Sequence, residues 1–378
     1  MILIKNGEVH VGNGEIHNNC DVLIDKDKIV KVEKNIEVKA EYEIIDATNK
    51  VVFPGFIDTM NSWGAKGPAW GDDDLGEHTD PITPHLNSVY AFDHDAMNFQ
   101  SVYEYGVTSF GFSPSIYNVI GGRSCVFKTY GHNPYNMLVK EDAAMVASVS
   151  SSAKSIYRNK KMSPMTKLGI YALLKQALFD AKNYNTDGEY NSKNAELKRV
   201  SDKELQLFIN CTTKADIDSI NLLLKEFDLD VVLTGAYCIT DSDNYKFKKV
   251  VLGNLTDSML THNYKMDIDA IKNMIKEGTL FSISSCGDSN GGGKETLLWN
   301  GILYYQRGIE AEDVVKMLTL NPAKILRVED RVGSIEVGKD ADIVVWSNNP
   351  ILTFEAKVLN SFISGQDVMK VERRTSCW

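Results

Sequence analysis

Buried strand patterns and helical patterns alternate along the central part of the chain, and this alternation constrains the fold more than any other feature. Short β-rich apolar runs are followed by segments whose apolar residues recur at helical spacing. Such alternation over about 280 residues favours an α/β fold, a TIM-like (β/α)8 barrel. The predicted buried parallel strands are residues 107–112, 126–130, 205–211, 230–236 and 280–285.

Two helix starts are marked by their capping residues. Ser163 before Pro164 predicts an N-cap and a first turn, followed by an apolar face within residues 170–181. Asn321 before Pro322 predicts a second helix by the same logic.

The two ends of the chain share a different pattern. Residues 1–52 alternate apolar and polar side chains between turns such as Asn6-Gly7, which is typical of short antiparallel strands. Residues near 332–346 return to this pattern. We therefore expect one small β-sandwich domain made of residues 1–52 and 337–378, with a barrel of residues 53–336 between them.

Composition narrows the function classes. The formal net charge is −10 and no long run of Lys or Arg occurs, which argues against a surface that follows nucleic-acid phosphates. No stretch of about 18 apolar residues is present, and Met1 to Lys5 begins as a strand without the parts of a signal peptide. We expect a cytoplasmic protein that binds neither nucleic acid nor a membrane.

Five segments carry a family resemblance in their order and spacing. Residues 53–59 (FPGFIDT), 321–326 (NPAKIL) and 338–342 (GKDAD), together with residues 78–86 and 118–122, resemble the amidohydrolase superfamily. The similarity is greatest to its imidazolonepropionase-like branch and extends over nearly the whole chain.

The resemblance implies an architecture and a chemistry. It implies a TIM-like barrel with metals at the carboxyl ends of the strands, flanked by a β-sandwich from both termini. In active relatives a metal-bound water becomes nucleophilic near neutral pH, and an Asp transfers its proton to the leaving group.

The metal ligands that the resemblance calls for are missing from this sequence. A catalytic zinc needs about three protein ligands, normally imidazoles and carboxylates. The last strand should supply an Asp, and counting from its two sides places either Cys286 or Asp288 there. The other ligand positions, two of them from a His-x-His pair on the first strand, correspond to Met60, Ser62, Ser151, Asn210, Thr212 and Gly235. We therefore predict that the chain holds no metal.

Cysteines and histidines offer replacement sites. Cys211, Cys238 and Cys286 lie near predicted strand ends and are candidates for a thiolate site, whereas buried free thiols are the alternative, because the chain has no C-x-x-C pair. Four histidines in a loop-rich region, near three consecutive aspartates, could hold a metal or Ca²⁺, with a solvated loop as the alternative. These residues are His78, His85, His94, His132 and Asp72 to Asp74.

The remaining candidates are a lysine, an aspartate and two glycine-rich loops. Lys128 follows an apolar run and is either a ligand-binding or carbamylated lysine at the barrel mouth or part of a structural ion pair. Asp58 lies beside the lost site, with local hydrogen bonding as its alternative role. Residues 121–123 and 290–294 could contact a polar small molecule, although neither has the spacing of a P-loop.

Three hypotheses follow. The first is a metal-free homologue that binds a small polar ligand or a protein partner, such as an active paralogue, without hydrolysing it. The second is a hydrolase of C–N bonds in cyclic amides that uses zinc or another divalent metal in an unconventional site around Lys128, Asp288 and the loop histidines. The third is a structural subunit whose barrel mouth is filled by apolar side chains. A homodimer is a further expectation.

Overall fold

The structure is a computed structural model that describes residues 1–65, 74–96, 100–236, 238–240, 247–253, 266–285 and 294–371. Its strands, in chain order, are β1 Ile2–His10, β2 Ile16–Asp25, β3 Lys28–Glu33, β4 Glu43–Asp46, β5 Val51–Pro54, β6 Phe56–Asn61, β7 Val107–Phe112, β8 Ile120–Lys128, β9 Leu138–Ser148, β10 Leu207–Asn210, β11 Val231–Thr234, β12 Lys249–Leu252, β13 Leu280–Ile283, β14 Ile343–Trp346, β15 Val358–Ile363 and β16 Gln366–Asp367.

The helices connect the later strands. They are α1 Pro134–Met137, α2 Ser152–Asn159, α3 Lys167–Lys182, α4 Ser192–Ser201, α5 Lys214–Glu226, α6 Ile268–Lys276, α7 Thr296–Gln306, α8 Ala311–Leu318 and α9 Leu320–Leu326.

Both ends of the chain enter one eight-stranded sheet. Its strand order is β16-β15-β14-β5-β1-β2-β3, with β4 beside β1. The sheet shares an apolar core to which β1, β2, β5, β14 and β15 all contribute buried side chains. Strands from both ends of the chain therefore form one β unit, as predicted. It takes the form of one continuous hydrogen-bonded sheet, and the terminal sheet extends through Pro54, since β6 begins at Phe56.

The remaining strands form the predicted TIM-like barrel. They follow the order β6-β7-β8-β9-β10-β11-β12-β13 in a second eight-stranded sheet. β13 approaches β6 through side chains, because the Thr59 hydroxyl lies 2.8 Å from the Ser282 hydroxyl and the Ser284 hydroxyl donates to the carbonyl of Met60. A nearly closed ring of eight strands results.

One strand runs in the opposite direction to the others. β8 pairs antiparallel with both β7 and β9, whereas the other adjacent pairs of this sheet are parallel. The prediction that residues 126–130 form a parallel strand is therefore wrong. The physical reason is connection length: residues 113–119 and 129–137 join β8 to its neighbours, and a parallel crossover needs about a dozen residues or more.

Apolar side chains fill the barrel interior. Buried residues from successive strands meet there, and α9 adds further apolar side chains at residues 323–326. Met60 and Val251 belong to this interior cluster. A second, larger cluster packs the helices against the outside of the strands.

Helix caps differ from the predicted ones by a few residues. α3 begins at Lys167, where the Thr166 hydroxyl accepts from the amide of Gly169, so the predicted start at Ser163 is wrong. α9 begins at Leu320, one residue before the predicted Asn321. No helix in the described ranges is long and apolar enough to cross a membrane.

Candidate ligand site at the barrel mouth

A small pocket lies at the carboxyl ends of the parallel strands. We call it the mouth pocket, and its internal space is about 40 Å³. Met60 and Val251 line it and also belong to the interior core, so the core forms its floor. The walls come from the ends of β6, β7, β10, β11 and β13, which direct their terminal side chains to one place because parallel strands end at the same face.

The fold brings some of the predicted metal positions together. Met60, Ser62, Asn210 and Gly235 all line the mouth pocket. They come from the ends of three strands that are far apart in sequence, and the fold brings them to one pocket.

Other predicted positions lie elsewhere. Ser151 is exposed at the start of α2. Thr212 does not line the pocket, and its amide donates to Asp216 at 3.1 Å, within the capping turn of α5. Cys286 and Asp288 lie outside the residues that the structure describes.

Four buried polar atoms around the mouth pocket have no hydrogen-bond partner within the part of the chain that the structure describes. They are the hydroxyl oxygens of Ser62, Ser113 and Thr234 and the amide oxygen of Asn210. A buried polar atom without a partner costs about 1–3 kcal/mol, so several such atoms around one cavity indicate a place where a ligand or water completes the hydrogen bonds. Neither Ser113 nor Thr234 was a candidate from the sequence.

The donor groups of the pocket do not fit a catalytic divalent metal. The described lining offers a thioether, hydroxyls and amides, and it includes no imidazole, thiolate or carboxylate. Across the described ranges, no group of three or more His, Cys, Asp or Glu side chains is placed to hold a metal ion.

The position of Gly235 also opposes a histidine ligand there. Its φ is +63°, a left-handed conformation that L side chains rarely adopt, and an added Cβ would lie 2.6 Å from Nδ2 of Asn210. The glycine and Asn210 therefore depend on each other sterically.

Asp58 is hydrogen-bonded to Asn61, a residue of the mouth-pocket lining. Its carboxylate is fully buried and accepts from Nδ2 of Asn61 at 2.9 Å and from the amide of Ser285 at 3.1 Å, and the Ser285 hydroxyl also donates to it. Burial raises the pKa of Asp58 above the usual value, and the hydrogen bonds from Ser285 and Asn61 oppose that shift. The predicted local hydrogen bonding is present, and Asn61 connects this carboxyl group to the pocket wall.

Lys128 is at the wrong end of the barrel for a ligand-binding role. Because β8 is antiparallel, its carboxyl end lies opposite the mouth pocket. The buried Lys128 ammonium lies 3.0 Å from Asp340 and donates to Asp342, both from the segment that leads into β14. The interpretation of Lys128 as a mouth residue is therefore wrong, and the alternative, a structural ion pair, is correct.

The cysteine and histidine candidates that lie in the described ranges do not form a group that could hold a metal ion. Burial raises the pKa of the Cys211 thiol well above its ordinary value and that of Cys238 to about 12, which keeps both thiols protonated. His94 lies near Asp95, and His132 packs against the Tyr130 ring. Asp72, Asp73 and residues 290–293 lie outside the described ranges.

Comparisons with known proteins agree with this architecture. The model of the amidohydrolase family matches residues 210–368. The solved structure of an amidohydrolase from Thermotoga maritima MSB8 superposes with a TM-score of 0.88 and 29% identity, covering 99% of this chain and 100% of that one.

Curated relatives match over shorter parts of their length. A dihydroorotase of Sulfurihydrogenibium sp. (strain YO3AOP1) is 38% identical over 73 residues, which are 19% of this chain and 17% of the dihydroorotase. Amidohydrolase tasK of Hapsidospora irregularis is 23% identical over 88% of this chain and 38% of its own length. The chain thus spans well under two thirds of the length of these relatives.

Proposed function

We propose that this chain, which belongs to the amidohydrolase superfamily, binds a small uncharged polar molecule in the mouth pocket and does not hydrolyse it with a resident metal. The observation that carries the proposal is the set of four unpaired polar atoms around the pocket. A pocket used only for packing would be lined by apolar groups.

The chemistry of the lining defines the ligand. The amide oxygen of Asn210 can only accept, so the ligand must offer an N–H or O–H donor. The hydroxyls of Ser62, Ser113 and Thr234 donate or accept. The described lining includes no charged side chain to pair with a charged ligand, and about 40 Å³ corresponds to roughly three water-sized volumes. A primary amide, a ureido group or a small alcohol satisfies these conditions.

The unpaired polar atoms of the lining favour ligand binding over a purely structural role for the barrel mouth. A structural subunit was expected to have a mouth collapsed onto apolar side chains. Here Met60, Val251, Pro114 and Ile116 give apolar lining, but four buried polar atoms around the pocket lack partners among the described residues. A complex with an active paralogue and a homodimer stay predictions.

Ligand-observed NMR with a panel of uncharged amides, ureas and small alcohols tests the binding. We expect signals from uncharged members of the panel, and we expect Asn210→Leu to abolish them because it removes the acceptor. The matched control is Asn183→Leu, at the exposed end of α3, which should leave the signals unchanged. Binding of no member of the panel, or equal binding by Asn210→Leu, would contradict the proposal.

The alternative function is a metal-dependent hydrolase of the C–N bond of a cyclic amide. Its support is the match to a protein named dihydroorotase. This alternative predicts turnover of cyclic amides after addition of Zn²⁺ or Mn²⁺, whereas the binding proposal predicts none. Metal-dependent turnover that the Asn210→Leu variant loses would replace the binding proposal by the hydrolase.

A further inference from the structure

A second, larger cavity lies beside the mouth pocket, and we call it the flank chamber. Its volume is about 470 Å³, within the range of about 300–1,000 Å³ that small-molecule sites occupy. Its lining comes from residues 74–77, 85–88 and 90–91, from the end of β7 with the residues that follow it, and from the start of β8. The chamber shares only Ser113 and Pro114 with the mouth pocket.

The polar groups of the flank chamber are rich in acceptors. Asp74 and Glu77 are exposed on its lining, and neither forms an ion pair with any cation among the residues described. The Ser113 hydroxyl and Nδ1 of His85 are buried without hydrogen-bond partners among the described residues. Ser113 is 4% exposed and lines both cavities, so its hydroxyl, which the mouth pocket shares, is an observation separate from the two carboxylates.

The guanidinium in the chamber does not offset these acceptors. Arg123 donates to Asp142 at 2.9 Å, and its Nε, which has no hydrogen-bond partner among the described residues, lies 3.5 Å from the Glu196 carboxylate. Arg199 contacts the same two carboxylates, each at 2.8 Å. Two guanidinium groups and two carboxylates thus neutralise one another, and Arg123 has no surplus charge to offer an anion. Among the described residues of the lining, the charges without an ion-pair partner are those of Asp74 and Glu77, and they are negative.

Apolar groups provide the rest of the lining. Leu75, Leu86, Phe112 and Pro114 can cover a carbon body, and the Tyr90 ring is 90% exposed at the edge of the chamber. An aromatic face within about 6 Å of a cation attracts it. The chamber therefore combines an apolar interior, acceptors for several N–H groups and uncompensated negative charge.

We propose that the flank chamber binds a small organic cation, an amine, amidine or guanidine carried on an apolar body. Such a cation has several N–H donors for Asp74, Glu77 and His85, and its apolar body displaces water from the chamber. This site differs from the mouth pocket, whose ligand is uncharged.

Three isosteric probes test the charge preference by isothermal titration calorimetry. Benzamidinium, benzamide and benzoate have the same ring and nearly the same shape but carry charges of +1, 0 and −1. We expect benzamidinium to bind at least about tenfold more tightly than benzamide and benzoate to bind most weakly, since a tenfold ratio corresponds to about 1.4 kcal/mol. Equal binding of the three probes, or a preference for benzoate, would overturn the proposal.

Matched variants locate the site. Asp74→Asn with Glu77→Gln should remove the preference for benzamidinium, whereas Glu189→Gln, an exposed carboxylate between α3 and α4, should preserve it. Asn210→Leu changes only the mouth pocket and should also preserve it, so failure of this proposal and failure of the mouth-pocket proposal are distinguishable. Benzamidinium binding that the double variant retains would place the cation elsewhere and contradict the assignment.

Discussion

At the scale of single residues, the mouth pocket shows polarity that packing does not explain. The buried Thr59 hydroxyl has a partner, since it lies 2.8 Å from the Ser282 hydroxyl. Thr234 is also buried, yet its hydroxyl has no partner among the residues that the structure describes. Side chains that lower stability without a packing benefit are typical of binding sites.

This difference predicts opposite effects for two identical substitutions. Thr234→Val removes an unpaired hydroxyl and should raise the free energy of unfolding by about 0.5–1 kcal/mol, whereas Thr59→Val breaks a buried hydrogen bond and should lower it by about 1–3 kcal/mol. Thermal and urea denaturation of both variants measure the two effects. Equal destabilisation would show that Thr234 has a partner in the free protein.

Asp58 predicts a pH dependence. Burial raises the pKa of its folded-state carboxyl group, so the native state retains the proton over a pH range in which the unfolded state has lost it. Stability from this group is therefore present below the unfolded pKa and is lost as the pH rises through the folded pKa. The stability of Asp58→Asn relative to the parent should increase as the pH is raised through this range. Urea denaturation from pH 4 to pH 8 measures it, and a difference that is constant with pH would contradict it.

At the scale of elements, the direction of β8 determines the role of the lysine at its end. Its carboxyl end meets residues 340–342, where Lys128, Asp340 and Asp342 are each no more than 5% exposed. Lys28 and Arg331 also contact Asp340. This buried ionic cluster joins the barrel to the terminal sheet.

The cluster predicts a stability effect without a binding effect. Lys128→Met removes the ammonium group that compensates the buried carboxylates of Asp340 and Asp342. It should lower the free energy of unfolding by about 3–5 kcal/mol, because a buried charge without its partner is strongly destabilising. Adding Asp342→Asn should recover part of that loss. Denaturation of both variants, with NMR of the mouth-pocket ligands as the control, measures this. A loss of ligand binding by folded Lys128→Met would contradict the structural role.

The sequence predicted whether most segments are strands or helices, but it did not predict the direction of β8 or which buried hydroxyls lack hydrogen-bond partners. Strand runs such as residues 107–112 are unambiguous because they are short, apolar and β-branched or aromatic. The antiparallel β8 was missed because hydrophobicity does not encode direction, although its short connections carried the signal. Motif spacing selected Met60, Ser62, Asn210 and Gly235, which line one pocket in the structure; their interpretation as former metal positions stays a prediction. Ser113 and Thr234 were missed because an unpaired hydroxyl is a property of packing in three dimensions.

At the scale of the whole molecule, the architecture has been retained while the lining of the mouth differs from that of a metal site. The superposition with the Thermotoga maritima amidohydrolase extends over 99% of this chain at 29% identity. A fold of this kind accepts new residues at the strand ends, because the barrel core and helix packing supply its stability.

Restoring one strand end should therefore not restore a metal site. In Met60→His with Ser62→His, two imidazoles face Asn210 and Gly235, and an open catalytic zinc site needs about three protein ligands. We expect no tight Zn²⁺ binding in calorimetry with a competing chelator. Stoichiometric, tight binding by this double variant would show that further ligands are already in place.

Elemental analysis of protein produced with zinc, manganese, iron and nickel in the medium and then desalted distinguishes a metal-free barrel from a metalloenzyme. A barrel that binds an uncharged ligand without a resident metal predicts contents far below one metal per chain for all four elements. A content near one metal per chain would contradict the account and would identify the chain as a metalloprotein with ligands outside the mouth pocket described above.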